Sequence, residues 1–171
     1  MNLENQYRLR QFGSKFWMIE DLKVDPKDFG IIPESNTIVN PINNKWYYTW
    51  VDAIKISKEI GNGWHLPSIE EWNQLALDLG GKATKESDPS LVDFNFNHNI
   101  IVALKVNLSG SYYDGVYYYP KDGSYFWTSN ESIEDSNLAF YRSISISERT
   151  RLNSNCNFKF FGYSVRLVKD V

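Results

Sequence analysis

GWHLPSIEEW, Gly63 to Trp72, sets a histidine five residues ahead of two adjacent glutamates and between two tryptophans. Two readings compete: a metal or acid–base cluster, or the entrance to a helix. Ser68 followed three residues later by Glu71 forms a capping-box pair, in which hydroxyl and carboxylate each accept from a backbone N–H that the first helical turn leaves free. Ile69, Trp72, Leu75, Ala76 and Leu79 then recur at helical spacing until Gly80-Gly81 stops the run. Glu70 and Glu71 fall in the first turn, where the helix dipole favours a negative charge by about 0.3–1 kcal/mol. His65 precedes Pro67 in an extended segment, and no second histidine lies four residues away as a zinc-protease helix requires. The other histidine, His98, is remote in sequence and sits between asparagines. The stretch therefore reads as a helix entrance, with His65 in a hydrogen-bonded structural role.

Working outward, TWVDAIKISKEIG before this block is a second helix, with Thr49 as N-cap, Trp50, Ala53, Ile54 and Ile60 on one face and Gly61 at the stop. Near the N-terminus, YRLRQFGSKFWMIEDL reads as two strands joined by a tight turn at Gly13-Ser14. Pro26, Gly30, Pro33 and Pro41 make residues 24–44 an irregular loop with at most short strands. After the helices the chain turns β-rich. NIIVALKVNL (Asn99–Leu108) reads as a strand, and Asp-Gly at 114–115 and 122–123 marks two hairpin turns between aromatic strands. LAFYRSISIS alternates through Phe140, Ile144 and Ile146, and FFGYSVRLVKD sets Tyr163, Val165 and Leu167 on one face of a last strand. The expectation is an α+β fold in a single domain, 1–171: two helices on a small, mostly antiparallel β core with long loops. Trp17, Trp50, Trp64, Trp72 and Trp127 are expected in or near that core.

A chain of 171 residues can bury about 70% of its unfolded surface, so its core needs no metal or disulfide. Six Trp, eleven Tyr and ten Phe give that core, or a binding surface, an unusually aromatic character. A net charge of −3 and a pI near 5.4 argue against nucleic-acid binding. No apolar run is long enough for membrane insertion. Only Cys156 is present, and no signal peptide precedes the first strand. Synthesis and folding in the cytosol are expected, with an extracellular site open if a leader has been removed.

Four blocks, in order, resemble the Fibrobacter succinogenes major paralogous domain. They are FGSKFWMIEDL (Phe12–Leu22), WYYTWVDA (Trp46–Ala53), GWHLPSIEEWNQLALDLGG (Gly63–Gly81), and YFWTSNES with GYSVRLVKD at the end. Residues 24–44 and 82–99 have no counterpart. The resemblance implies a C-type-lectin-like fold related to the formylglycine-generating enzymes, in which long loops do the recognising. Asp21 stands where that family usually has Asn. Where its members often carry cysteines, before Gly-Trp-His and in the last strand, this chain has Ile60-Gly61-Asn62 and Leu167. With the cross-link absent, a cytosolic product carried on a phage particle fits the resemblance.

Formylglycine-type oxidation uses two thiols, and Cys156 alone cannot supply them; hydrolysis finds no Gly-x-Ser-x-Gly elbow. No catalytic residue, cofactor or metal is assigned. True C-type lectins use calcium, but here Pro33-Glu34-Ser35-Asn36 reverses their Glu-Pro-Asn and Trp127-Thr128-Ser129-Asn130 lacks their acid. Glu131, Glu134 and Asp135 offer only part of a six- to eight-oxygen shell. Binding is the better reading. Tyr112, Tyr113, Tyr117, Tyr118 and Tyr119 cluster around Asp114-Gly115, and tyrosine pairs a large contact area with a polar tip. These five, with Asn130, Glu131, Glu134 and Asp135, are the candidate surface for a carbohydrate or protein partner. The alternative is a structural protein of a phage particle, touching copies of itself or virion neighbours.

Overall fold

The helix entrance at Ser68 forms as the spacing predicts. Ser68 Oγ accepts from the Glu71 N–H at 3.2 Å, and the Glu71 carboxylate accepts from the Ser68 N–H at 2.8 Å. A computed structural model describes residues 3–84, 88–96, 100–145 and 150–171. Its elements run β1 (Leu9–Phe12), β2 (Lys15–Met18), β3 (Ile38–Asn40), β4 (Lys45–Tyr47), α1 (Trp50–Ile60), α2 (Ile69–Asp78), β5 (Lys82–Ala83), β6 (Phe94–Asn95) and α3 (Ile100–Ala103). They continue β7 (Ser111–Tyr113), β8 (Val116–Tyr118), β9 (Gly123–Glu131), β10 (Leu138–Ser145), β11 (Arg151–Phe158) and β12 (Val168–Asp170). The result is mixed α+β, with several small antiparallel sheets. Their orders are β1-β2-β12, β5-β6-β11-β10-β9, β3-β4 and β7-β8. No helix among the described residues is long and apolar enough to cross a membrane.

Alternation along three extended segments divides the core in two. Met18, Trp127, Tyr163, Val165 and Leu167 point into a cluster with Ala53, Ile56 and Ile60 of α1. Trp17, Phe126 and Val168 point the other way, into a cluster with Trp72, Leu75 and Ala76 of α2. β2, β9 and residues 163–168 thus make a wall that is buried on both sides. Trp17 and Trp72 meet edge to face at 4.9 Å, a preferred aromatic geometry. Trp17, Trp50, Trp64, Trp72 and Trp127 are all buried, as expected. The Trp127 indole donates to the Tyr48 carbonyl and that of Trp50 to the Thr128 carbonyl, so both polar tips are satisfied.

One buried charge cluster crosses this core. Asp21 receives Lys45 Nζ at 2.9 Å and Arg166 Nε at 3.0 Å, and all three side chains are buried. Burial alone would raise the Asp21 pKa, but the two cations outweigh it and hold the carboxyl below its ordinary range. Arg166 also lies over the Phe126 ring and donates to the Leu104 carbonyl.

Three expectations change. Asn99 lies outside the described residues, and the segment that follows it is a short helix, α3, rather than a strand. Ile100 and Leu104 are buried while Val102 is 70% exposed, so burial follows i, i+4 spacing, which a strand cannot provide. Leu104 N–H closes on Ile100 O at 3.0 Å. Asp122-Gly123 is no hairpin turn: Gly123 opens β9 against Ser145 of β10, and a Cβ there would meet Ile144 O at 2.9 Å. Glycine serves close strand approach at that point. The last strand is also shorter than expected. Only Val168–Asp170 pair along β2, whereas Tyr163 and Ser164 make single bridges to Tyr48 and Phe126. Ile146, the end of the predicted 140–146 alternation, falls outside the described residues, as does His98.

Candidate binding surface

The tyrosine hairpin forms where Asp114-Gly115 predicts it. Both residues take positive φ, 46° and 83°, the geometry of a two-residue turn matched to strand twist. Pairing Tyr112 with Tyr117 and Tyr113 with Val116 then splits the tyrosines between two faces. Tyr112 and Tyr117 turn onto the buried Tyr47, at 6.2 and 5.6 Å, and onto each other at 5.2 Å. These two hold the hairpin to the body. On the other face Tyr113 stacks on Phe161 at 4.7 Å and meets Phe160 at 5.2 Å, with Tyr118 at 6.5 Å from Phe161.

The phenylalanines come from NFKFFG at the end of β11. Phe158 and Phe160 stack at 5.1 Å with planes only 6° apart, two residues apart and on one side of the chain. The hairpin and this turn are locked by paired backbone bonds between Tyr112 and Gly162, at 2.9 and 2.7 Å. Asn36 joins them from a third place: its amide donates to Phe160 O and its oxygen accepts from the Asp114 N–H. The product is an aromatic ledge. Phe158 is 44% exposed, Phe160 42% and Tyr118 36%, so three of its rings reach solvent while in contact with others. Tyr119, the next residue, is more exposed still, at 62%.

Lys159 ties the polar loop to this ledge. Its ammonium contacts Glu131 Oε1 at 2.5 Å and Ser136 O at 2.6 Å, and lies 4.6 Å over the Trp50 ring. Asp135 accepts from the Asn137 N–H and shapes its own turn, and Glu134 is exposed. Asn130 faces elsewhere. Its oxygen accepts from the Ile69 N–H at 2.8 Å, satisfying a free donor at the start of α2. The structure therefore gathers Tyr113, Tyr118, Glu131 and the 131–137 loop around Phe158–Phe161. It uses Tyr112 and Tyr117 for packing and Asn130 for capping. Phe158, Lys159, Phe160, Phe161 and Asn36 were not foreseen; three phenylalanines in four positions were the signal available.

The opening histidine is held on both nitrogens, by Gly63 O at 3.0 Å and Glu71 Oε1 at 2.8 Å. Glu71 also receives Lys15 Nζ at 2.8 Å. The hydrogen bond that His65 donates to the Glu71 carboxylate raises the His65 pKa. Burial pushes the Glu71 carboxyl up, but its contacts with His65, Lys15 and the Ser68 N–H pull it down to about 2. This is a helix entrance tied to β2. Cys156 is half-buried on β11 opposite Phe140. Comparisons with protein-family models, curated proteins and solved structures find no match.

Proposed function

We propose that this chain is a non-enzymatic attachment module on a C-type-lectin-like scaffold, and that the aromatic ledge is where a partner protein docks. The scaffold part is supported by the flanking order of elements: the last strand paired with the second strand of the first hairpin, two helices, then long connections leading to an antiparallel sheet. The observation that carries the docking part is the patch of part-exposed rings in which Phe158 stacks on Phe160, and Phe160 and Tyr118 both meet Phe161. Monomeric surfaces scatter such rings singly, and contiguous patches of them mark contact sites. A protein partner fits better than a neutral sugar. Two of the three exposed rings are phenylalanines with no polar tip, and they already stack on each other.

Proteins encoded by neighbouring genes, offered one at a time to the immobilised chain, test this. A Phe158→Ser/Phe160→Ser variant is expected to lose affinity at least about tenfold, since aromatic anchors at interfaces are worth about 1–2 kcal/mol or more each, while keeping its melting temperature. Wild-type affinity in that variant would remove the ledge from the interface. Light scattering covers the architectural alternative, in which the partner is a second copy: association would then rise with concentration and disappear in the same variant.

A further inference from the structure

A cleft of about 460 Å³ lies over the Asp21 charge cluster and shares no lining residue with the ledge. Its charge is opposite to that of the whole chain. Lys23, Lys45 and Lys105 line it, with Arg166 buried behind Asp21. Against these four cations stand two carboxylates, and both are committed. Asp21 is shared by Lys45 and Arg166, and Glu20 lies on Arg8 at 3.6 Å. Arg166 Nη2 is 3.0 Å from Asp21 Oδ1 but is not aligned to donate, so the single carboxylate leaves the buried pair of cations under-compensated. Among the described residues, neither Lys23 nor Lys105 has an acidic partner within ion-pair distance. On a chain of net charge −3, a concave, locally positive surface concentrates anions.

The rest of the lining selects the kind of anion. Trp46 is half-buried, and Tyr48 stacks on one face of its indole at 5.8 Å and 14°. Trp46 also lines the cleft. Gln6 and Asn107 bring amides whose side chains hydrogen-bond to no described residue. An indole, free amides and a cationic wall suit a ring with hydroxyls and one acid group. We propose that this cleft binds an acidic sugar, its ring against Trp46 and its carboxylate drawn to Lys23, Lys45 and Lys105.

Glucuronic acid and N-acetylneuraminic acid, with glucose and acetate as controls, test the proposal by calorimetry and by the NMR signal of the Trp46 indole N–H. At least one acidic sugar is expected to bind, to shift that signal, and to weaken as salt is raised. Glucose and acetate should each bind about tenfold more weakly or worse. A Lys23→Gln/Lys105→Gln variant should lose about tenfold in affinity, two partly screened charge contacts being removed, at an unchanged melting temperature. Glucose binding as well as the acids would overturn the role of charge, and acetate binding as well would overturn the role of the ring. Failure of both acids, or wild-type affinity in the lysine variant, would overturn the site itself.

Discussion

At the scale of single residues, the decisive chemistry is ionic and internal. Among the described residues, Asp21 is the only carboxylate paired with two buried cations, so Asp21→Asn removes the counter-charge that Lys45 and Arg166 share inside the core. Breaking a buried pair from one side typically costs about 3–5 kcal/mol, and urea unfolding of this variant is expected to show a loss of that order. His65 makes a pH-dependent contribution of known sign. Its pKa is raised above 6.5 in the folded chain, so its stabilisation is complete below the unfolded value and is lost as pH rises through the folded one. Glu71 is lowered from 4.5 to about 2, so its contribution is present above 4.5 and is lost as pH falls towards 2. The pair is therefore worth most between about pH 4.5 and 6.5. Because the imidazole is part-exposed, solvent holds the His65 share to less than about 1 kcal/mol. Unfolding measured from about pH 4.5 upward through and beyond 6.5 in His65→Asn should lack the decline that the native chain shows above pH 6.5.

At the scale of elements, what could be read from the sequence was what local chemistry decides. Thr49, Ser68 and Glu71 cap their helices because the groups they satisfy lie within three residues. Asp114-Gly115 turns its hairpin because both positions need positive φ. Misreadings came where burial at a distance decides. Ile100, Ile101 and Val102 are β-branched and strand-like, yet of residues 100–104 only Ile100 and Leu104, one helical turn apart, are fully buried in the second core cluster. The ledge was half legible. Its tyrosines were visible, but the phenylalanines that complete it lie some forty residues downstream and are brought in by Asn36. How the hairpin is seated depends on Gly110, with φ of 69° and its missing Cβ only 2.0 Å from Tyr118 O. Gly110→Ala should displace the hairpin, detected as loss of hydrogen-exchange protection at residues 111–118 with α1 and α2 still protected. Protection unchanged throughout would show that the close approach is not required.

At the scale of the molecule, two core clusters share one wall, since Trp17 and Met18, or Phe126 and Trp127, are neighbours in sequence but belong to opposite clusters. Neither cluster can open without exposing the back of the other. Leu75→Ala, in the second cluster, is expected to lower stability by about 2–5 kcal/mol and to leave the far-ultraviolet circular dichroism and tryptophan fluorescence transitions coincident. Separate midpoints would mean that the clusters unfold independently.

The placement of residues 163–168 in that wall bears on how the protein is made. Tyr163, Val165, Leu167 and Val168 fill both clusters and bridge to Tyr48 and His65. A ribosome delivers this segment only after everything it knits together, so the nascent chain waits with both helices uncovered. Assembly is then a late event that depends on contacts far apart in sequence, and such contacts form slowly. An early stop codon anywhere before Tyr163 should therefore yield no partly working protein, only a substrate for proteases.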